Sequence, residues 1–325
     1  MTEATGTGFG RVNLIGEHTD YNLGLALPMT LPLRVDVQAS LRSDWQVAAR
    51  SGLFPEDGVV TFDAGEWGRE ERWTDYVRGA SALLAREGIF EHGASLSIAS
   101  DIPPGAGLAS SAAMCVALVQ ALSRLGGVTL EPMHIARLAR AIETDFVGAP
   151  VGLMDQMAAT GQPGRAQLID FLEESTRAVK VPASVEVEIV DSGITHANRT
   201  GGYRERREEC ARACELLGVR SLREVQDDAR AVDRLPAPLS KRVRHVIAEN
   251  IRVRDAAAAL EQGDAAAFGA LLTASHISLR DDFAVSLPAI DAIVDRALEQ
   301  PGVLGARLTG GGFGGSVVVV KRGRV

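Results

Sequence analysis

Residues 33–41, LRVDVQASL, alternate without a break. Leu33, Val35, Val37, Ala39 and Leu41 fall on one side; Arg34, Asp36, Gln38 and Ser40 fall on the other. A period of two sends successive side chains to opposite faces of a strand, so this segment predicts a strand with one packed and one wet face. The same alternation recurs in ASLSI (94–98) and in VEVEI (185–189), where Glu186 and Glu188 point outward. SVVVV (316–320) lacks the polar half of the pattern and reads as a more deeply buried strand.

Helical periodicity fills the spaces between these strands. After Ala112, apolar residues Cys115, Leu118, Val119, Leu122 and Leu125 recur at three- and four-residue steps until Gly126 and Gly127 end the run. Ile135, Leu138, Ala139, Ile142 and Phe146 mark a second helix, and the Ala- and Arg-rich stretches 204–217 and 239–262 are amphipathic. Strands and helices mixed without a regular β-α alternation predict an α+β fold. A change of character in FLEESTRAVKVPAS (171–184) divides the chain into two expected domains, 1–175 and 176–325.

Composition excludes several classes of function. With a net charge of −8 over 325 residues and no long basic cluster, neither nucleic acid nor an anionic membrane is an expected partner. No apolar run reaches membrane-spanning length, and MTEATGTGFG has neither the charge nor the apolar centre of a secretion signal; a cytoplasmic monomer is the expectation. Cys115, Cys210 and Cys214 are too few for a disulfide framework and lack the partners of a zinc site, so they read as small buried hydrophobes on helices.

Four segments carry chemistry. In DIPPGAGLASSAAMCVAL (101–118), Gly105 and Gly107 free the backbone, Ser110 and Ser111 add hydroxyls, and a helix follows. Free backbone N–H groups and the positive helix end would converge on a phosphate; the competing reading is a simple turn and helix cap. The loop lacks the Lys of a Walker A motif and the glycine spacing of a dinucleotide fingerprint. In AIETDFVGAPVGLMDQ (141–156), Glu143 lies on a helix flank of small residues and Asp155 at the start of another element. Ser111 and Glu143 could hold Mg²⁺ beside phosphate, and Asp155 could handle a nucleophile's proton; a surface charge and a helix cap are the alternatives. The run GGGFGG (310–315) is either a tight turn or a place where backbone approaches another group closely. Finally GRVNLIGEHTDYNLG (10–24) sets Arg11, Glu17, His18 and Asp20 around the apolar run Val12–Ile15.

PPGAGLASSAA, VGLMDQ and LTGGGFGG together resemble the three motifs of the GHMP small-molecule kinases, which use ATP and Mg²⁺. Within them, GRVNLIGEHTDYNLGLALP resembles the galactokinase signature, and RWTDYVRG (72–79), GGYRERREEC (201–210) and SHISLRDDFAVSLPAID (275–291) extend the likeness along the chain. The resemblance implies an N-terminal domain similar to ribosomal protein S5 domain 2 and a ferredoxin-like C-terminal domain. It implies that Asp155 faces the C1 hydroxyl of galactose with Arg11 beside it, and that Glu17, His18, Asp20, Gly152 and Tyr203 bind the sugar. It further implies that Gly105, Ala106, Gly107, Leu108, Ala109, Ser110 and Ser111 cradle ATP, with Trp73 and Tyr76 near the adenine, and that Ser111 and Glu143 hold Mg²⁺. Departures from the family pattern are Gly8-Phe9 for Ala-Pro, Ala109 for Ser, Val151 for Cys, and Leu23 in place of the first Gly of Asn-Gly-Gly.

The expected activity is therefore phosphorylation of galactose at C1 by MgATP. Alternatives are a kinase for galacturonate, arabinose or N-acetylgalactosamine, and a catalytically silent sugar sensor on the same fold.

Overall fold

The computed structural model describes residues 2–103, 106–149, 151–194, 199–228 and 230–323. In chain order its elements are β1 (Glu3–Asn13), β2 (Leu25–Ala26), β3 (Pro28–Leu41), β4 (Gln46–Ser51), β5 (Val60–Asp63), α1 (Thr74–Arg86), β6 (Ala94–Ser100), α2 (Ser110–Leu125), α3 (Pro132–Ala141) and α4 (Met154–Ala159). There follow β7 (Arg165–Asp170), β8 (Ser175–Lys180), β9 (Val185–Asp191), α5 (Arg199–Leu217), α6 (Leu239–Gln262), α7 (Ala265–Asp281), α8 (Pro288–Leu298), β10 (Val303–Thr309) and β11 (Ser316–Arg322). Two compact units emerge: residues 1–11 with 30–163, and residues 12–29 with 164–325.

In the first unit β3, β6, β4 and β5 lie side by side, with β1 paired to β3. The alternation in 33–41 sets the register: Val37 sits opposite Ile98 and Ala39 opposite Leu96 in an antiparallel ladder. Their shared face is buried, while Gln38 and Ser97 stay at least partly in water. Strand β4 runs parallel to β6, which local pattern alone does not reveal. Helix α2 is buried along almost its whole length and lies directly on β1. A Cβ at Gly6 or Gly8 would overlap the carbonyl oxygens of Ala117 and Ala113, respectively. The glycines of GTGFG are thus a packing device, and Gly8 is required by this helix where the family pattern has Ala.

The periodic run 135–146 does not remain one α-helix. Helix α3 gives way at Ile142 to a π-helical turn, Ile142–Val147, that contains Glu143. Such turns cost hydrogen-bond quality and collect at functional positions.

In the second unit β11 is the centre of a three-stranded antiparallel sheet, β10-β11-β9, which explains why Val317 to Val320 are all buried. Helices α5 to α8 share its core through Cys210, Val243, Val246, Leu279 and Ile290, packed with Phe283 just after α7 and with Leu308 and Val317. Strands β2, β7 and β8 form a second antiparallel set in this unit. Cys115 and Cys210 are buried and Cys214 half-buried, all on helices. Among the described residues no helix is long and apolar enough to cross a membrane.

Candidate active site

Within the first unit, the end of β1 delivers Arg11 to Asp155, which lies in the first turn of α4. Arg11 Nε donates to Asp155 Oδ1 at 2.8 Å and its Nη2 to Oδ2 at 2.6 Å, the forked geometry in which a guanidinium and a carboxylate match best. Nη1 donates to the Gly107 carbonyl at 2.8 Å, and the Arg11 backbone N–H to the Leu108 carbonyl at 3.1 Å. One arginine therefore locks the carboxylate and the glycine loop together. Its side chain is 10% exposed and that of Asp155 30%, so the pair is held by protein yet open on one side.

The loop itself is bent by Gly107 at φ +73° and by Ala109 at φ +61°. Left-handed backbone is unfavourable for alanine and is retained here immediately before α2. The bond from the Ala113 N–H to the Ala109 carbonyl at 3.0 Å opens α2, and the amides of the turn before it are the ones a helix leaves for an anion. The Ala106 N–H donates to the Pro103 carbonyl at 3.4 Å, Leu108 is buried, and Gly105 lies outside the described residues.

Glu143 is 2% exposed, which removes the surface-charge reading of this residue. Gln156 Nε2 donates to its Oε2 at 2.5 Å, and the Ser111 hydroxyl bonds the same carboxylate. Burial pushes Glu143 above the ordinary carboxylate range; the two hydrogen bonds oppose that shift, and the negative Asp155 adds to it. A desolvated carboxylate beside a second acid and a hydroxyl is an oxygen-rich setting that a hard divalent cation would relieve, so the donor set fits Mg²⁺.

Trp73 and Tyr76 part company. Trp73 is buried, donates its indole N–H to Asp57 at 2.6 Å and stacks on Phe54, with ring centroids 5.9 Å apart. Tyr76 is half-buried with its hydroxyl pushed up to about 12, first by burial and then by Cys115 and Glu143 nearby. Gly152 is half-buried in the turn before α4.

Within the second unit, the loop after β1 presents Glu17, His18 and Asp20. Glu17 Oε1 accepts the Gly310 N–H at 2.6 Å and the Thr309 hydroxyl at 3.0 Å, and Asn13 Nδ2 donates to Oε2. His18 adopts φ +62°; its Nδ1 meets the Tyr21 hydroxyl at 2.8 Å, and its Nε2 is buried with no hydrogen-bond partner. Burial, then the neighbouring His245, lowers the imidazole to about 3, so His18 is neutral at physiological pH. Tyr203 on α5 places its ring 5.4 Å from the His18 ring and 5.8 Å from that of Tyr21. Asp20 is half-buried and opens a short 3₁₀ turn, Asp20–Asn22.

The glycine run belongs to this constellation. A Cβ at Gly311 would press on the Tyr203 ring, and one at Gly312 on Val285, so close approach rather than a bare turn accounts for the glycines.

Sequence reasoning missed the layer beneath. On α6, Glu249 accepts the Gly16 N–H at 3.0 Å and Asn250 Oδ1 the Leu25 N–H at 2.8 Å, while His245 Nε2 meets the Glu17 carbonyl at 3.2 Å. These three, with Arg307 on β10, are wholly buried polar residues. The available signal was His245 and Glu249 one helical turn apart on a face that should be apolar.

A loop that fits phosphate, a forked arginine–carboxylate pair and an oxygen site fit for Mg²⁺ define a class: small-molecule kinases of the GHMP fold. Family models agree. GHMP kinases N terminal domain matches residues 75–162, GHMP kinases C terminal matches 256–323, and the galactokinase galactose-binding signature matches 9–41. The chain is 43% identical to a galactokinase of Roseiflexus sp. over 97% of its own length and 83% of that protein. It is 44% identical to a galactokinase of Mycobacterium tuberculosis over 96% and 87%, respectively. The structure of Lactococcus lactis galactokinase complexed with galactose superposes with a TM-score of 0.90 at 32% identity, covering 98% of this chain and 86% of that one. A mevalonate kinase shares the fold at a TM-score of 0.71 and 19% identity. The chain belongs to the galactokinase family.

Proposed function

We propose that the protein transfers the γ-phosphoryl group of ATP to the C1 hydroxyl of galactose, giving galactose 1-phosphate and ADP. The observation that carries this reading is the Arg11 fork, which ties Asp155 to Gly107 of the phosphate loop. Phosphoryl transfer needs positioning and charge neutralisation more than covalent help. Asp155 accepts the hydrogen of the C1 hydroxyl, whose oxygen forms a bond to phosphorus as the bond to the ADP oxygen breaks. Arg11 holds that carboxylate in place and offsets negative charge at the transferred group. Residues 105–111 cradle the phosphates, and Tyr76 and Trp73 lie toward the base.

Ser111 and Glu143 would hold Mg²⁺, which neutralises charge on the phosphate oxygens when bound. Glu17, His18, Asp20, Gly152 and Tyr203 read the sugar hydroxyls. Glu17 supplies acceptors only. His18 is neutral, so its ring offers one donor and one acceptor, with the tautomer set by its partners. Retention of these residues favours neutral galactose over an acid sugar, which would demand a further basic contact. The setting we propose is a cytoplasmic monomer.

A panel of free sugars with MgATP, read by coupled ADP release, tests the assignment. Galactose should support turnover, and Asp155→Ala should reduce it by at least a thousandfold, on the order expected for loss of a group acting on the transferred proton. Full turnover in Asp155→Ala would overturn the role of Asp155. Sugar binding without ADP formation in the unaltered protein would identify a sensor instead.

A further inference from the structure

Arg307 lies in GARLTGGG, three residues before the glycine run, and none of the roles described above uses it. Its side chain is 0% exposed. Nη1 donates to the Leu14 carbonyl at 2.9 Å, while Nε and Nη2 have no hydrogen-bond partner. Nη2 lies 3.4 Å from Glu17 Oε1, whose own side chain is 2% exposed. His18, His245, Glu249 and His276 all feel its charge. Taking a guanidinium out of water with one donated bond is unfavourable unless an anion answers it. Glu17 is in direct ion-pair contact with it.

The converse holds for Glu17. Its Oε1 accepts from the Gly310 amide and the Thr309 hydroxyl and lies in ion-pair contact with Arg307, all on or just after β10, while Asn13 Nδ2 donates to Oε2. Two of those donors, the Gly310 amide and the Thr309 hydroxyl, are neutral and would also serve a protonated acid or an amide. Arg307 is the partner that requires negative charge.

We infer that Arg307 is a positioning residue for sugar recognition: it keeps Glu17 a fixed, ionised acceptor for a sugar hydroxyl without touching the sugar itself. This rests on the reading of Glu17 as a sugar ligand. Arg307 then acts on affinity for the sugar and leaves phosphoryl transfer alone, and its effect on sugar affinity exists only while residue 17 carries a charge; its charge also reaches the buried Glu249.

A double-mutant cycle separates the two claims. Glu17→Gln alone should raise KM for galactose at least tenfold with KM for ATP unchanged; no change in the sugar KM would overturn the reading of Glu17 itself. Given that rise, Arg307→Met in the native background should raise KM for galactose by roughly ten- to a hundredfold, with kcat at saturating sugar within about threefold of native. In the Glu17→Gln background the same substitution should add less than about twofold. Independent, multiplying effects, or a fall in kcat at unchanged KM, would overturn the role of Arg307. Should Arg307→Met alone prove insoluble, the double variant decides, because it removes both members of the buried pair. Soluble double variant would support the pairing, and an equally insoluble one would refute it. Arg307→Lys, which keeps the charge, should recover most of the sugar affinity.

Discussion

Acidification from pH 7.5 to 5.5 should destabilise the fold through two buried histidines. His18 is lowered to about 3 and His245 to about 4, in both cases chiefly by burial. An unfolded histidine takes up its proton near pH 6.5. Between those values the unfolded chain binds more protons than the folded one, so stability rises with pH and is lost as pH falls through the window. At pH 5.5 each ring favours the unfolded state by about RT ln(1 + 10), or roughly 1.4 kcal/mol, against almost nothing at pH 7.5. Two rings together make about 3 kcal/mol, a large part of the 5–15 kcal/mol typical of a folded domain. His276 is also lowered, by burial first, and acts in the same sense. Glu249 does not interfere: burial alone would raise it, but Arg252, His245 and Arg307 hold it at about 2, so its stabilising charge is lost only as pH falls from about 4.5 toward 2. Urea unfolding followed by far-ultraviolet circular dichroism at the two pH values measures the difference. In His245→Gln the pH-dependent loss should shrink by about half whatever the variant's baseline. Burial of Glu143 acts in the opposite sense, so the comparison between proteins decides: a pH-dependent loss in His245→Gln equal to that of the native protein, within about 0.5 kcal/mol, would refute a buried neutral ring at that position.

Gly8→Ala would drive a methyl group into the Ala113 carbonyl, and overpacking of this kind costs about 1–3 kcal/mol; an unfolding midpoint equal to native would show that α2 can move away from β1. Glu143→Ala should raise the Mg²⁺ concentration for half-maximal ADP release by about tenfold or more, the equivalent of about 1.4 kcal/mol, and an unshifted Mg²⁺ titration would take Glu143 out of the metal site.

What could be read from the chain was what depends on near neighbours. The period of two in 33–41 forecast a strand with one buried face, and the Ala- and Arg-rich stretch 239–262 forecast the extent of α6. The alternation frays at Leu41, which is 44% exposed, because the last residue of a strand has few neighbours to cover it. The π-helical turn at Glu143 stayed hidden because its apolar spacing continues that of α3; what changes there is the hydrogen-bond partner, which no side-chain pattern encodes. Residues 12–29 join the C-terminal unit, although they follow β1 directly, because their backbone bonds reach Glu249, Asn250 and Arg307, more than 200 residues away in sequence. The candidate site divides the same way. Arg11, Glu17, His18 and Asp155 stand out locally as polar residues packed into short apolar motifs. Arg307 and Glu249 look like ordinary surface charges in an Arg-rich chain, and only burial shows what they do. A charge that is buried must be answered by a partner; here Arg307 faces Glu17, and Glu249 faces Arg252 and the Gly16 amide, so the hidden layer holds the loop that carries the proposed sugar ligands.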